Sequence, residues 1–221
     1  MSFRSATRDL PILTPGEQRL LLTKTGELRG AEREHMIYSL ALGSALREHE
    51  IVALNVGDVL HAGAIRSKIY LTIFKGMNKK PKRPKAAAAP RKPVTQRVHL
   101  PRACQRKLVY YLKWKKRQGE SLSPDAPLFA TSQAGFGAVA GDRLSTRTIR
   151  FHFRRWQERC GFETSYGFHA LRHTACSNLY RVTKNIEAVR KQARHTSIDT
   201  TQIYTHLTED ELAQAVKGLP C

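Results

Sequence analysis

Two stretches of alternating polarity, separated by a run of lysine, proline and alanine, limit what this chain can fold into. Ile69, Leu71 and Ile73 recur at every second position, and Val94, Gln96, Val98 and Leu100 do so again before Pro101. A period of two marks a strand with one face buried, so the two stretches are expected to pair. Elsewhere the apolar residues return at helical spacing. The expected fold is therefore mainly α with a small antiparallel β-sheet, an α+β arrangement.

The helical segments carry their own punctuation. Thr14-Pro15-Gly16-Glu17 has a capping residue, a proline at the first helical position and a glutamate three residues on, ahead of Leu20, Leu21 and Leu22. A second pattern runs over 31–45 through Met36, Ile37, Leu40 and Ala41, a shorter one covers 48–54, and Asn55-Val56-Gly57-Asp58 is expected to break it. Further helices are expected over 101–119, with Leu108, Tyr111 and Leu112 on one side, and over 146–160, stopped by Gly161. From Phe168 onward Phe168, Leu171, Ala175, Leu179 and Val182 share one arc, the expected core stripe, and His169, Arg172, His173 and Cys176 share the neighbouring arc. Thr208-x-x-Glu211 opens a last short helix whose apolar face is Leu212, Ala215, Val216 and Leu219. The glycine-rich segment 134–141 reads as a loop. Residues 75–93, with Lys79, Lys80, Lys82, Arg83, Lys85, Arg91 and Lys92, read as a long basic hairpin tip.

Charge decides which partner is worth considering. The 221 residues hold 38 Lys and Arg against 18 Asp and Glu, a formal +20. Such an excess destabilises a compact fold by self-repulsion unless a polyanion neutralises it, and nucleic acid is the common cytosolic polyanion. No stretch approaches the ~18 consecutive apolar residues of a membrane span. Residues 1–10 contain Arg4 and Arg8 and no apolar core of a signal peptide. Cys104, Cys160, Cys176 and Cys221 are scattered without a CxxC pair, which fits a reducing, cytoplasmic setting.

The chemistry-bearing residues fall in two clusters. His169, Arg172 and His173 project from one helical face, and Arg194-His195-Thr196-Ser197 leads on to Thr200-Thr201-Gln202-Ile203-Tyr204-Thr205-His206. A guanidinium fork can hold two phosphate oxygens at once, an imidazole exchanges protons near neutral pH, and a tyrosine among them is a candidate nucleophile. Residue types alone leave structural roles for each of these open.

The ordered combination is more specific. His169-Ala-Leu-Arg172-His173-Thr174, followed by Arg194-His195-Thr-Ser-Ile-Asp-Thr-Thr-Gln-Ile-Tyr204-Thr-His206, closely resembles the C-terminal signature of the tyrosine site-specific recombinases, the phage integrase family. Upstream, Gly43-x-x-x-Arg47-x-x-Glu50-x-x-x-Leu54 resembles the family's first-arginine box, with one residue more than usual between glycine and arginine. Leu71-Thr-Ile-Phe74-Lys75-Gly76 resembles the strand end that carries the family's lysine, with Phe74 in place of the usual glycine.

The resemblance implies that Tyr204 is the nucleophile, that Arg47, Arg172 and His195 hold the scissile phosphate, and that His169 assists proton transfer from the tyrosine. It implies Lys75 as the general acid, with Lys79 and Lys80 close enough to replace it, and Glu50 as the acidic partner of the first arginine and the histidine. His173, Thr174 and His206 take packing or phosphate-positioning roles. It further implies a 3′-phosphotyrosyl intermediate, no metal or other cofactor, double-stranded DNA as partner, and a homo-tetramer on two DNA sites. The domain reading is an N-terminal arm at 1–13 and a catalytic domain over 14–221, with a basic hairpin insertion at 76–93 and a C-terminal helix and tail at 208–221. The family's usual second DNA-binding domain does not precede it. The chain is then either a fragment, or a minimal recombinase completed by its own basic surface, the hairpin tip or an accessory DNA-binding protein. A nucleoid-associated location follows from the same reading. The competing readings are type IB topoisomerase-like strand relaxation and a non-catalytic DNA-binding regulator descended from an integrase.

Overall fold

Helix α2, Glu32–Ser44, carries the apolar run Met36, Ile37, Tyr38, Leu40 and Ala41, which spreads over more than one face, so it is buried on several sides and becomes the centre of the fold. In the computed structural model, which describes residues 11–74, 93–132 and 139–195, those neighbours are α1 (Pro15–Glu27), α5 (Arg102–Arg117), α6 (Thr146–Cys160) and α7 (His169–Thr183). Between them run the short helices α3 (Glu48–Ala53) and α4 (Val56–Val59), a hairpin of β1 (Leu60–His61) and β2 (Ala64–Ile65), and the longer hairpin of β3 (Lys68–Phe74) and β4 (Pro93–His99). Helix α8, Ile186–Ala193, closes the described part.

The sequence cues act locally as their chemistry predicts. Thr14 and Glu17 form the reciprocal cap of α1, and Ser145 caps α6, which ends at Gly161 in the left-handed conformation. β3 and β4 pair antiparallel with Ile69 opposite Val98, and both of these side chains are fully buried. Tyr38, Phe153 and Phe168 meet with ring centroids 5.5 to 6.4 Å apart, which fixes the approach of α2 and α6 to the start of α7. Gln157 on α6 then donates to the carbonyl of Tyr166 (3.1 Å) and accepts from its N–H (2.6 Å), so the loop ahead of His169 is latched at its backbone. Gly43 is required by packing: a Cβ there would lie 2.5 Å from Cys104 Sγ on α5.

At four places the structure adds to the expectations or corrects them. The break expected at 55–58 is present, with α3 ending at Ala53 and Leu54 and Asn55 extended; what was not anticipated is the one-turn α4 that follows, started by Asp58 accepting the Asn55 N–H (2.8 Å). The β1–β2 hairpin was not anticipated; its turn residues Ala62 and Gly63 both have positive φ (48° and 77°), the requirement of a two-residue turn that follows strand twist. Val182 lies in the right arc but is 84 % exposed, because nothing among the described residues packs over the last turn of α7. Leu13, placed on the arm, is buried in the core and donates its N–H to Thr174 Oγ1 (2.9 Å). No helix among the described residues is long and apolar enough to cross a membrane.

Candidate active site

Two helix ends converge on one arginine. Helices α2 and α8 each end at a residue forced into the left-handed region, Ala45 (φ 55°) and Arg194 (φ 57°), and each leaves carbonyls that the helix itself cannot satisfy. Arg172, one turn into α7, donates from Nη1 to the carbonyl of Ala45 and from Nη2 to the carbonyl of Ala193, both at 2.5 Å. The guanidinium is thereby held in position by the negative ends of two helices. It is 2 % exposed, and burial, with Arg47 and Arg194 nearby, lowers its pKa to about 10. It stays charged at neutral pH.

The turn after Ala45 presents Arg47, which starts α3, and brings Glu50 under it. Glu50 Oε2 accepts the Arg47 N–H (2.6 Å) and Oε1 accepts Arg47 Nη1 (3.0 Å). A second guanidinium, Arg194 Nη2, also bonds to Glu50 Oε2. Burial pushes the Glu50 carboxyl upward, but Arg194, Arg47 and Arg172 outweigh it and hold the pKa below the ordinary carboxylate value. The carboxylate and Arg194 are buried, whereas the Arg47 side chain is 29 % exposed and reaches toward solvent.

The histidines line the same space. His169 is the first residue of α7, and its ring meets that of His173 edge-on with centroids 4.8 Å apart. Burial, Arg172 and Arg47 lower the pKa of His169, so it is a neutral proton acceptor at pH 7. His195 follows Arg194, and its N–H donates to the carbonyl of Arg190 (3.1 Å) at the end of α8. Burial, Arg172 and Arg47 bring its pKa to about 4, and burial with His169 and Arg172 does the same to His173. Gln192 positions α8: its side-chain amide donates to the carbonyls of His99 (2.9 Å) and Ser44 (3.1 Å) and accepts the His99 N–H (3.2 Å). The strand that leaves the basic tip is therefore tied to the helix that delivers His195.

Arg47, Glu50, His169, Arg172 and His195 thus share one electrostatic neighbourhood. Lys75 and Tyr204 lie outside the described residues, as do the 75–92 tip, His206 and the 208–219 segment. Thr174 has a packing role, receiving Leu13 and donating to the carbonyl of Ala170 (2.8 Å). Sequence reasoning gave Arg194 no partner, because its carboxylate lies 144 positions away. Its left-handed backbone costs about 1 kcal/mol for a residue other than glycine. Among the described residues no grouping of His, Cys, Asp and Glu has a geometry that could hold a metal ion. What the cluster offers chemically is fixed positive charge beside neutral imidazoles, which suits an anionic reacting group with a proton to transfer.

The depressed histidines predict acid sensitivity. His35 joins His173 and His195 at about 4, against 6.5 when unperturbed. Between those values the unfolded chain binds more protons than the folded one, so stability rises with pH across the window and is lost as pH falls through it. With allowance for solvent screening, the expected slope is about 1 to 2 kcal/mol per pH unit. Urea midpoints measured between pH 7 and 5 check this, and a flat profile would contradict the histidine environments described.

Residues 12–211 match the phage integrase family. The tyrosine recombinase XerC of Vibrio parahaemolyticus is 32 % identical over 103 residues, covering 47 % of this chain and 31 % of that protein. XerC of Haemophilus ducreyi is 40 % identical over 74 residues, covering 34 % and 24 %. The chain therefore spans about a third or less of the curated relatives it matches. Among solved structures, XerA recombinase superposes with a TM-score of 0.69 at 23 % identity over 95 % of this chain and 65 % of its own. The Tn1549 transposon integrase in complex with circular intermediate DNA gives 0.66 at 17 % over 93 % and 64 %. The catalytic domain of bacteriophage HP1 integrase gives 0.54 at 18 % over 96 % of both chains. These likenesses establish the fold, helix-rich with small antiparallel sheets.

Proposed function

The chain belongs to the phage integrase family, and from that premise we propose that it cleaves and rejoins DNA strands at specific sites through a 3′-phosphotyrosyl intermediate. The observation that carries this reading is the convergence of Arg47 and Arg172 with His169 and His195, from separate parts of the chain, around one site.

In phosphoryl transfer the attacking and leaving oxygens lie in line and negative charge spreads over the equatorial oxygens. Guanidinium groups already fixed in place stabilise that charge without reorganising. Arg172 is fixed by two helix ends and Arg47 by Glu50, so neither has to be ordered by the substrate. Neutral His169 can take the phenolic proton as the Tyr204 oxygen attacks, and neutral His195 can donate its N–H to a phosphate oxygen. Lys75 protonates the departing 5′ oxygen in this reading. Attack by a phenol tethered to the protein conserves the bond energy, so a strand's 5′-hydroxyl can reverse the step without ATP.

DNA as partner is supported by the formal +20 and by the Tn1549 integrase neighbour solved on DNA. The remainder of the proposal follows the family: a catalytic domain over 14–221 with the 76–93 tip as a basic insertion, a tetramer on two DNA sites joined through 208–221, and action at the nucleoid. If no second DNA-binding domain accompanies it, its own basic surface, the basic tip or an accessory DNA-binding protein completes its hold on the duplex. Strand exchange is favoured over simple relaxation because the neighbours named above are recombinases and integrases.

The test is covalent trapping. On a duplex nicked beside the cleavage position the protein is expected to form an adduct resistant to denaturation. Tyr204→Phe is expected to reduce it by on the order of 10⁶-fold, to below detection, as loss of a nucleophile does, while noncovalent binding persists. An adduct formed by the Phe variant would overturn the assignment of the nucleophile.

A further inference from the structure

Arg194 occupies a position where its backbone favours a different residue. The N–H of His195 bonds to the carbonyl of Arg190 and the N–H of Arg194 to that of Lys191, a helix-ending motif whose left-handed residue is ordinarily glycine. Arginine there carries backbone strain. Its side chain is 3 % exposed, and its buried Nε has no hydrogen-bond partner among the described residues. A buried ion pair roughly breaks even against solvation. Strain, an unmet donor and a neutral ion pair together give stability no reason to retain this residue, whereas the chemistry of the neighbouring cluster does.

Glu50 sits between two guanidinium groups. With Arg47 alone, the carboxylate would cancel the charge of the most exposed guanidinium of the cluster. With Arg194 bonded to Oε2, that negative charge is shared, and three guanidinium groups against one carboxylate leave two positive charges at the site. Two is the charge that a pentacoordinate phosphodiester transition state brings with it. Arg194 also immobilises the carboxylate: Nη1 donates to the carbonyl of Gln192 (2.9 Å), so the side chain is anchored to its own turn before it reaches Glu50. That same turn carries the Ala193 carbonyl that holds Arg172.

We propose that Arg194 is a positioning residue of the cleavage site, which fixes Glu50 against Arg47 and keeps the net charge facing the scissile phosphate at two. The proposal rests on the strand-cleavage reading and assigns Arg194 no contact with DNA. It acts through Glu50, so its effect disappears when Glu50 can no longer pair.

The experiment measures adduct formation on a nicked duplex, binding to an uncut duplex and thermal melting for the full chain and four variants: Arg194→Gly, Arg194→Lys, Glu50→Gln, and Arg194→Gly combined with Glu50→Gln. Arg194→Gly suits the left-handed backbone and is expected to fold and to bind uncut duplex as the parent does. Its adduct should form about 10- to 100-fold more slowly, the usual effect of losing a group that orients a catalytic one. Arg194→Lys, which keeps the charge and one donor, should recover most of the rate. In the Glu50→Gln background the further change to glycine should cost less than about threefold, because the two act as a unit. Parental rate in Arg194→Gly, or losses that multiply in the combined variant, would overturn the proposal. If the parent chain itself forms no adduct, the strand-cleavage reading falls, and this inference with it.

Discussion

Arg172→Lys is expected to slow adduct formation by about 10²- to 10³-fold, the loss that follows removal of one fixed donor to a developing oxyanion. The formal charge is unchanged, so a simple attraction between cation and phosphate would predict little effect. The fork is what is lost. Arg172 spans the carbonyls of Ala45 and Ala193 with two nitrogens of a rigid plane, and a single ammonium cannot hold both and still face a substrate. A buried carbonyl left without a donor costs about 1 to 3 kcal/mol, so the urea midpoint should fall together with the rate. Parental kinetics with a lowered midpoint would make Arg172 structural and remove it from the site.

Glu50→Ala is expected to destabilise the fold by about 3 to 5 kcal/mol, the cost of leaving buried charge without its partner. The affected cation is Arg194, whose side chain is almost wholly enclosed, while Arg47 can turn toward solvent. Chemical denaturation measures the loss directly. Its pH dependence gives a second check: the Glu50 carboxyl is held below 4.5, so its contribution is full above that value and fades as pH drops through the lowered pKa. The difference in stability between parent and Glu50→Ala should therefore shrink in acid. A difference that stays constant from pH 7 to pH 3 would mean that packing, not charge, accounts for the loss.

Much of the fold was legible because short-range rules decide it. Thr14 with Glu17 and Ser145 with Gly161 mark helix ends through bonds that span three or four residues. The alternation around Ile69 and Val98 states which face of the hairpin is buried. The illegible parts have equally physical causes. Helix α4 is too short to show a period, and the β1–β2 turn uses Ala62 where asparagine would have announced positive φ. Helix α8 is introduced by Asn185, whose Oδ1 accepts the N–H groups of Glu187 and Ala188, but two turns are too short for a helical period to stand out. In the site, the resemblance to the phage integrase family named Arg47, Glu50, His169, Arg172 and His195, which residue types alone did not single out. The acceptors of Arg172 are main-chain carbonyls, which any residue supplies, and the pairing of Arg194 with Glu50 joins distant parts of the chain. Neither leaves a trace in residue type or spacing.

The guanidinium that joins the ends of α2 and α8 has an evolutionary corollary. If Arg172 works on the phosphate as proposed, its loss cannot remove activity and spare the shape, since it unseats the turn that bears Arg47 and the turn that bears His195. Descendants freed from selection for activity would shed the solvent-facing Arg47 first and keep Arg172 for as long as they keep a shape. An inactive relative in this lineage is then recognised by what it has lost at the rim, and the buried arginine alone is no witness to activity.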